Sequence, residues 1–184
     1  MKKFFFFKNA LVLILLIILA TSLNAHDFAS NNKGLKKFRV VEVHDGDTVS
    51  IRLRGFAGIT YKTERVRLIG IDAPEISQEP WGRRSKRHLK KLINESDWVV
   101  SVELDAEERD KYGRILAYLW DKKGQMINEK MAEDGYAVLY TIPPNVKYSK
   151  IFLSAQKKAQ SKKLGIWKRN GLKMSPEKWR RENL

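Results

Sequence analysis

Apolar and polar residues alternate with a period of two along several short stretches of the chain, the spacing of half-buried strands. Thr48 to Arg54 alternates most cleanly, with Val49, Ile51 and Leu53 on one face and Ser50, Arg52 and Arg54 on the other. Glu64 to Ile69 repeats the pattern, Val66 and Leu68 inward and Arg65 and Arg67 opposite. Phe38 to Val43 reads as a strand before them. Trp98, Val100, Val102 and Leu104 mark a fourth, and Ile115, Ala117 and Leu119 a fifth, closed by the turn Asp121-Lys122-Lys123-Gly124. Helical spacing lies between and after these strands. Residues 83–95 set Leu89, Leu92 and Ile93 on one side of a basic segment. Ile127, Met131 and Ala132 predict a short helix ending near Gly135, and Phe152, Ala155 and Ala159 a longer one ending at Gly165. Ser175-Pro176 offers a cap and a first-turn proline to a final helical segment, Glu177 to Arg181. Short strands with brief connections predict a small barrel rather than a parallel sheet, an α+β, mainly β, fold with about three helices.

The N-terminus follows a different pattern. Met1-Lys2-Lys3 and Phe4 to Phe7 precede an unbroken apolar run from Ala10 to Ala20, then a more polar stretch ending on Ala25. A basic start, a short apolar core and a small-residue boundary predict a signal peptide over 1–25 and an exported, secreted or periplasmic, protein. The run of 11 residues is shorter than the roughly 20 that a spanning helix requires. An uncleaved N-terminal membrane anchor is the alternative, and only then would the protein contact a membrane. Residues 26–36 read as a flexible lead-in, 37–167 as the folded domain, and 168–184 as a basic C-terminal tail with a short helix.

Charge narrows the partners. The 184 residues carry 36 Lys and Arg against 21 Asp and Glu, a formal charge of +15. Loss of 1–25 removes three lysines and no acid, so the excess belongs to the folded part. Such a surface suits a polyanion: nucleic acid, anionic lipid or polysaccharide. The absence of Cys excludes disulfides, thiolate zinc sites and thiol nucleophiles.

Three segments carry candidate chemistry: Asp45-Gly46-Asp47-Thr48 between the first two strands, Arg67 to Glu75 after the third, and Asp110-Lys111-Tyr112-Gly113-Arg114 before the fifth. Taken singly they read as a hairpin turn, a polar loop and a solvated turn. Taken together they hold the parts of a phosphodiesterase. Hydrolysis of a phosphodiester requires charge stabilisation at phosphorus, a positioned water and a base. The guanidinium forks of Arg67 and Arg114 suit non-bridging oxygens, Asp47 and Asp72 suit a hard cation, and Glu75 is left as the base.

These segments, in this order, resemble the signature segments of the thermonuclease (staphylococcal nuclease-like) family. The similarity extends from about Phe38 to Trp167 and includes Met126-Ile127-Asn128-Glu129 and Leu164-Gly165-Ile166-Trp167. The resemblance implies a five-stranded OB-type barrel and a Ca2+-dependent endonuclease acting on DNA and RNA, single- or double-stranded, with 3′-phosphate products. It implies catalytic roles for Arg67, Glu75 and Arg114, and calcium binding by Asp47, Asp72 and the backbone carbonyl of Ala73, which stands where the family often has Thr. It places Lys111, Tyr112 and, approximately, Tyr140 near the terminal phosphate of a bound nucleotide. A second tyrosine of the family is missing, because Thr141-Ile142-Pro143 occupies its stretch.

Two other classes fit part of the pattern. A non-catalytic OB-fold module would bind nucleic acid without cutting it, and would be expected to have lost an arginine or a carboxylate. A basic protein that binds anionic surfaces would show no chelator-sensitive chemistry. No stable protein partner is expected. His26, His44 and His88 are scattered, Trp98 and Trp120 suit core or barrel surface, and Trp81 and Trp179 are the better candidates for stacking on bases.

Overall fold

The computed structural model describes residues 34–54 and 60–183. The leader over 1–25 lies outside the described residues, as does most of the lead-in. Residues from Leu35 onward form one compact unit. Its strands are β1 (Lys36–Val43), β2 (Thr48–Arg54), β3 (Tyr61–Leu68), β4 (Gly70–Asp72), β5 (Val99–Arg109), β6 (Ile115–Trp120) and β7 (Val138–Tyr140). Its helices are α1 (Trp81–Glu95), α2 (Ile127–Glu133), α3 (Ser149–Ser161) and α4 (Pro176–Asn183).

The expected five-stranded barrel is present and closed, in the order β1-β2-β3-β6-β5. All its pairs are antiparallel except β3–β6, the parallel pair. Closure leaves no open sheet edge and turns alternate side chains into a single core. Val49, Ile51, Val66, Leu68, Val100, Ala117 and Leu119 fill the interior. Beneath it pack Leu89 and Ile93 of α1, Met131 of α2 and Phe152 of α3. Helix α1 turns its apolar stripe to this core and leaves Arg83, Arg84, Arg87, Lys90 and Lys91 exposed.

Three details differ from the sequence expectation. Helix α1 begins at Trp81, not 83. Trp98 stands just before β5 with φ 59°, so it ends a turn rather than opening the strand. The small antiparallel pair β4–β7 is an addition, too short to leave an alternation signal.

Asn128 ties these layers together. Fully buried on α2, it donates to the Ile69 and Ala117 carbonyls at 2.9 and 3.1 Å and accepts from the Leu119 amide at 2.9 Å. Each bond contributes about 1 kcal/mol net, but leaving the partners unpaired costs more. The side chain therefore fixes the exit of β3 against β6, at the end of the barrel where the polar loops gather.

Candidate active site

Strand register brings the three polar segments to one rim. Thr48 pairs with Arg67, which puts Asp47 beside the last turn of β3. Val66 pairs with Ile115 and Arg67 with Leu116, so the parallel contact sets Arg114 on the same rim. Gly70 pairs with Tyr140, which brings β7 to the same opening. The result is a cleft of about 1030 Å³ lined by Asp47, Arg67, Asp72, Glu75 and Arg114, among others. Lys111, Tyr112, Ala73 and Tyr140 also border it, so each of the nine residues singled out in the sequence lies at this cleft.

Close backbone approach explains the local sequence. A side chain at Gly46 would meet the Cβ atoms of Ala73 and Ser85 at 2.5 and 2.6 Å, so only glycine lets the Asp45–Thr48 turn lie against α1 and the Asp72 loop. Asp45 accepts the Asp47 amide at 2.9 Å and holds the turn. A side chain at Gly82 would strike the Glu75 carbonyl at 1.9 Å. Glycine there seats the first turn of α1 under the Glu75 loop, which Gln78 braces by accepting the Glu75 amide at 3.0 Å.

Arg67 is deeply engaged. One terminal nitrogen donates to the Leu68 and Ile71 carbonyls at 2.9 and 3.0 Å and lies 3.1 Å from Asp47. The other reaches Asp72 at 3.0 Å. The guanidinium thus clamps the β3–β4 turn as well as facing the cleft, a structural duty the sequence did not reveal. Arg114 is different. Its Nε donates to Asp110 at 2.7 Å, and its terminal nitrogens make no hydrogen bond among the described residues. They are the open fork of the site. Tyr112, 72% exposed, lies 5.5 Å from this guanidinium and 5.1 Å from the Lys111 ammonium. Burial opposes ionisation of Asp110, but the hydrogen bonds and charge of Arg114 outweigh it and hold the carboxyl below its ordinary value.

The carboxylates fit a hard cation. Asp47 and Asp72 are 7% and 1% exposed and face the same Arg67 guanidinium. Burial pushes the Asp47 carboxyl up from 3.8 to about 6, against the lowering effect of Arg67 and with Asp45 adding to the rise. An acid left short of positive charge in an all-oxygen setting suits calcium or magnesium better than a soft metal. Among the described residues no three His, Asp or Glu side chains gather as a ready-made metal cage. Backbone carbonyls and water would have to complete the coordination.

The shift at Asp47 has a measurable sign. Between about pH 4 and 6 the folded carboxyl keeps a proton that the unfolded chain has released, so folding stability falls as pH rises across that window. Asp110 and Asp134, with depressed values, slope the other way: their stabilisation is lost as pH falls. Comparison with Asp47→Asn isolates the effect. With chelator present, the wild-type urea midpoint is expected to drop relative to the variant as pH rises to about 6, a loss on the order of 2–3 kcal/mol. A difference constant with pH would show that Asp47 carries no such penalty.

One side chain at the site was not expected. Arg180 of α4 donates to both oxygens of Asp72, at 3.0 and 2.8 Å, and to Glu75 at 2.7 Å. Hydrogen bonds to Asp72 outweigh partial burial and hold its guanidinium above the ordinary arginine range. The basic tail Trp179-Arg180-Arg181 was its only trace in the sequence.

Of the remaining candidates, His26 lies outside the described residues and the others have structural partners or are buried. His44 lies 2.7 Å from the Ser50 hydroxyl, and His88 is 2.9 Å from Asp134 and stacked on Tyr136. Trp81 is buried, and Arg84 covers its ring at 4.9 Å, so it is no stacking platform. Trp120 is fully buried, and Trp179 donates to Ser77 at 3.2 Å.

A sequence profile of the staphylococcal nuclease homologue family matches residues 65–169. The thermonuclease of Staphylococcus intermedius is 40% identical over 139 residues, 73% of this chain and 77% of that protein. The thermonuclease of Staphylococcus hyicus is 35% identical over 142 residues, 74% of this chain and 79% of its own. Endonuclease YncB of Bacillus subtilis is 32% identical over 150 residues, 78% of this chain and 67% of its own. With the closed barrel and the profile match over more than half its length, the chain belongs to the staphylococcal nuclease homologue family.

Proposed function

We propose that the chain is an exported, calcium-dependent endonuclease that cuts DNA and RNA without sequence preference and leaves 3′-phosphate ends. The observation that carries this reading is the convergence of Asp47, Arg67, Asp72, Glu75 and Arg114 on one cleft. The basic face of α1 supports backbone attraction without base readout.

Asp47, Asp72 and the Ala73 carbonyl would hold the calcium ion, which would polarise the phosphate and neutralise charge as it develops. The other work falls to side chains. Glu75 takes a proton from the attacking water as its oxygen bonds to phosphorus. The bond from phosphorus to the 5′-oxygen breaks, that oxygen takes up a proton, and the phosphate stays on the 3′ side. Arg114, with its terminal nitrogens open, grips the non-bridging oxygens and stabilises the five-coordinate centre. Lys111, Tyr112 and Tyr140 border the opening where a terminal phosphate would lie.

The test is digestion of single- and double-stranded DNA and RNA with calcium, with magnesium and with EDTA, followed by end-group analysis. Calcium-dependent fragments with 3′-phosphates are expected. Binding without cleavage under every condition would favour a non-catalytic nucleic-acid module instead.

A further inference from the structure

We infer that Arg180 is an internal cation that competes with the divalent ion, so that docking of α4 and cation uptake oppose each other. The inference rests on the metal-dependent reading above. Its geometric basis is the occupancy of Asp72. Arg180 takes both oxygens of that carboxylate as a fork, and Arg67 takes a second bond to one of them. The same Arg180 nitrogen that holds Asp72 also holds Glu75. One guanidinium thus covers a cation ligand and the proposed base together.

Charge makes the two states exclusive. Asp47, Asp72 and Glu75 bring three negative charges, and Arg67 and Arg180 return two. A divalent ion placed on Asp72 beside Arg180 would meet a like charge within about 4 Å and be repelled. Retreat of Arg180 relieves it and uncovers Glu75.

The tail is built to be held but not locked. Gln78 donates to the Met174 carbonyl at 3.1 Å, Trp179 to Ser77 at 3.2 Å, and the Leu172 amide to the Ile166 carbonyl at 3.0 Å. Yet α4 is eight residues long and Pro176 is its only buried residue. A helix so short has little stability of its own, and its release exposes little apolar surface.

Calcium titration by calorimetry on the intact chain and on Arg180→Gln, without nucleic acid, tests the competition. Loss of a charge-assisted hydrogen-bonded competitor is expected to tighten calcium binding about tenfold. Hydrogen exchange supplies a second readout on the unmodified chain: calcium should speed exchange across residues 176–183. Trp179→Ala, which loosens the helix but keeps the guanidinium, should tighten binding in the same direction. Equal or weaker calcium affinity in Arg180→Gln, with helix protection unchanged by calcium, would overturn the inference and make Arg180 a substrate contact or a structural tie. If neither protein takes up calcium, the metal-dependent reading itself fails, and this inference with it.

Discussion

Arg114→Lys is expected to lower the cleavage rate about 100- to 1,000-fold, the loss typical of one preorganised charge donor at a reacting centre. The charge survives in this variant and the fork is lost. Arg114 is the cleaner of the two arginine tests, because among the described residues its guanidinium hydrogen-bonds only to Asp110, at 2.7 Å, and its side chain is 30% exposed. Stability should change by only about 1 kcal/mol, because the pair with Asp110 is part-buried but lysine keeps the charge. Arg67→Lys should depress cleavage too, but also unfold more easily. The variant cannot reproduce bonds to the Leu68 and Ile71 carbonyls, Asp47 and Asp72 from one ammonium. Removing one partner of a buried ion pair costs about 3–5 kcal/mol, and lysine, which keeps the charge but loses the fork, should cost less than that. Single-turnover rates measured beside urea unfolding separate the two cases. Cleavage by Arg114→Lys within severalfold of the unaltered protein would remove Arg114 from the transition state.

Glu75→Gln is expected to slow cleavage about 100- to 10,000-fold, the range for loss of a positioned general base. The fold should tolerate it. The loop is braced through its backbone, the Glu75 amide donating to Gln78 and the Glu75 carbonyl accepting the Gln78 amide at 2.8 Å. The amide side chain still offers an oxygen to Arg180. Nucleic-acid affinity should persist, so the readout is a fall in turnover with binding retained. Near-normal turnover would mean that the water is activated by another group.

Much of this protein was legible in one dimension. The inward positions Val49, Ile51, Val66 and Leu68 of β2 and β3 were legible from alternation, although Thr48 and Ser50 on the opposite face of β2 are buried as well. Helix α1 was legible from Leu89, Leu92 and Ile93 against a basic face. The candidate cleft was legible because its groups cluster in short polar segments between apolar runs. The pair β4–β7 was not, because three-residue strands show no period. The clamp by Arg67 was hidden as well: its carbonyl partners at Leu68 and Ile71 carry no side-chain signature.

Residue pattern alone thus determined which stretches become strands and helices, which apolar positions turn inward, and which residues are the candidates that gather at the cleft. Those properties are local, set by side-chain periodicity and backbone preference. Tertiary structure decided the rest: the parallel β3–β6 register that puts Arg114 on Arg67's rim, and the return of the tail that lays Arg180 on Asp72, 108 positions away. Contacts at such separation depend on chain closure and on where unpaired charge is left in the folded interior, and neither is written in the spacing of neighbouring residues.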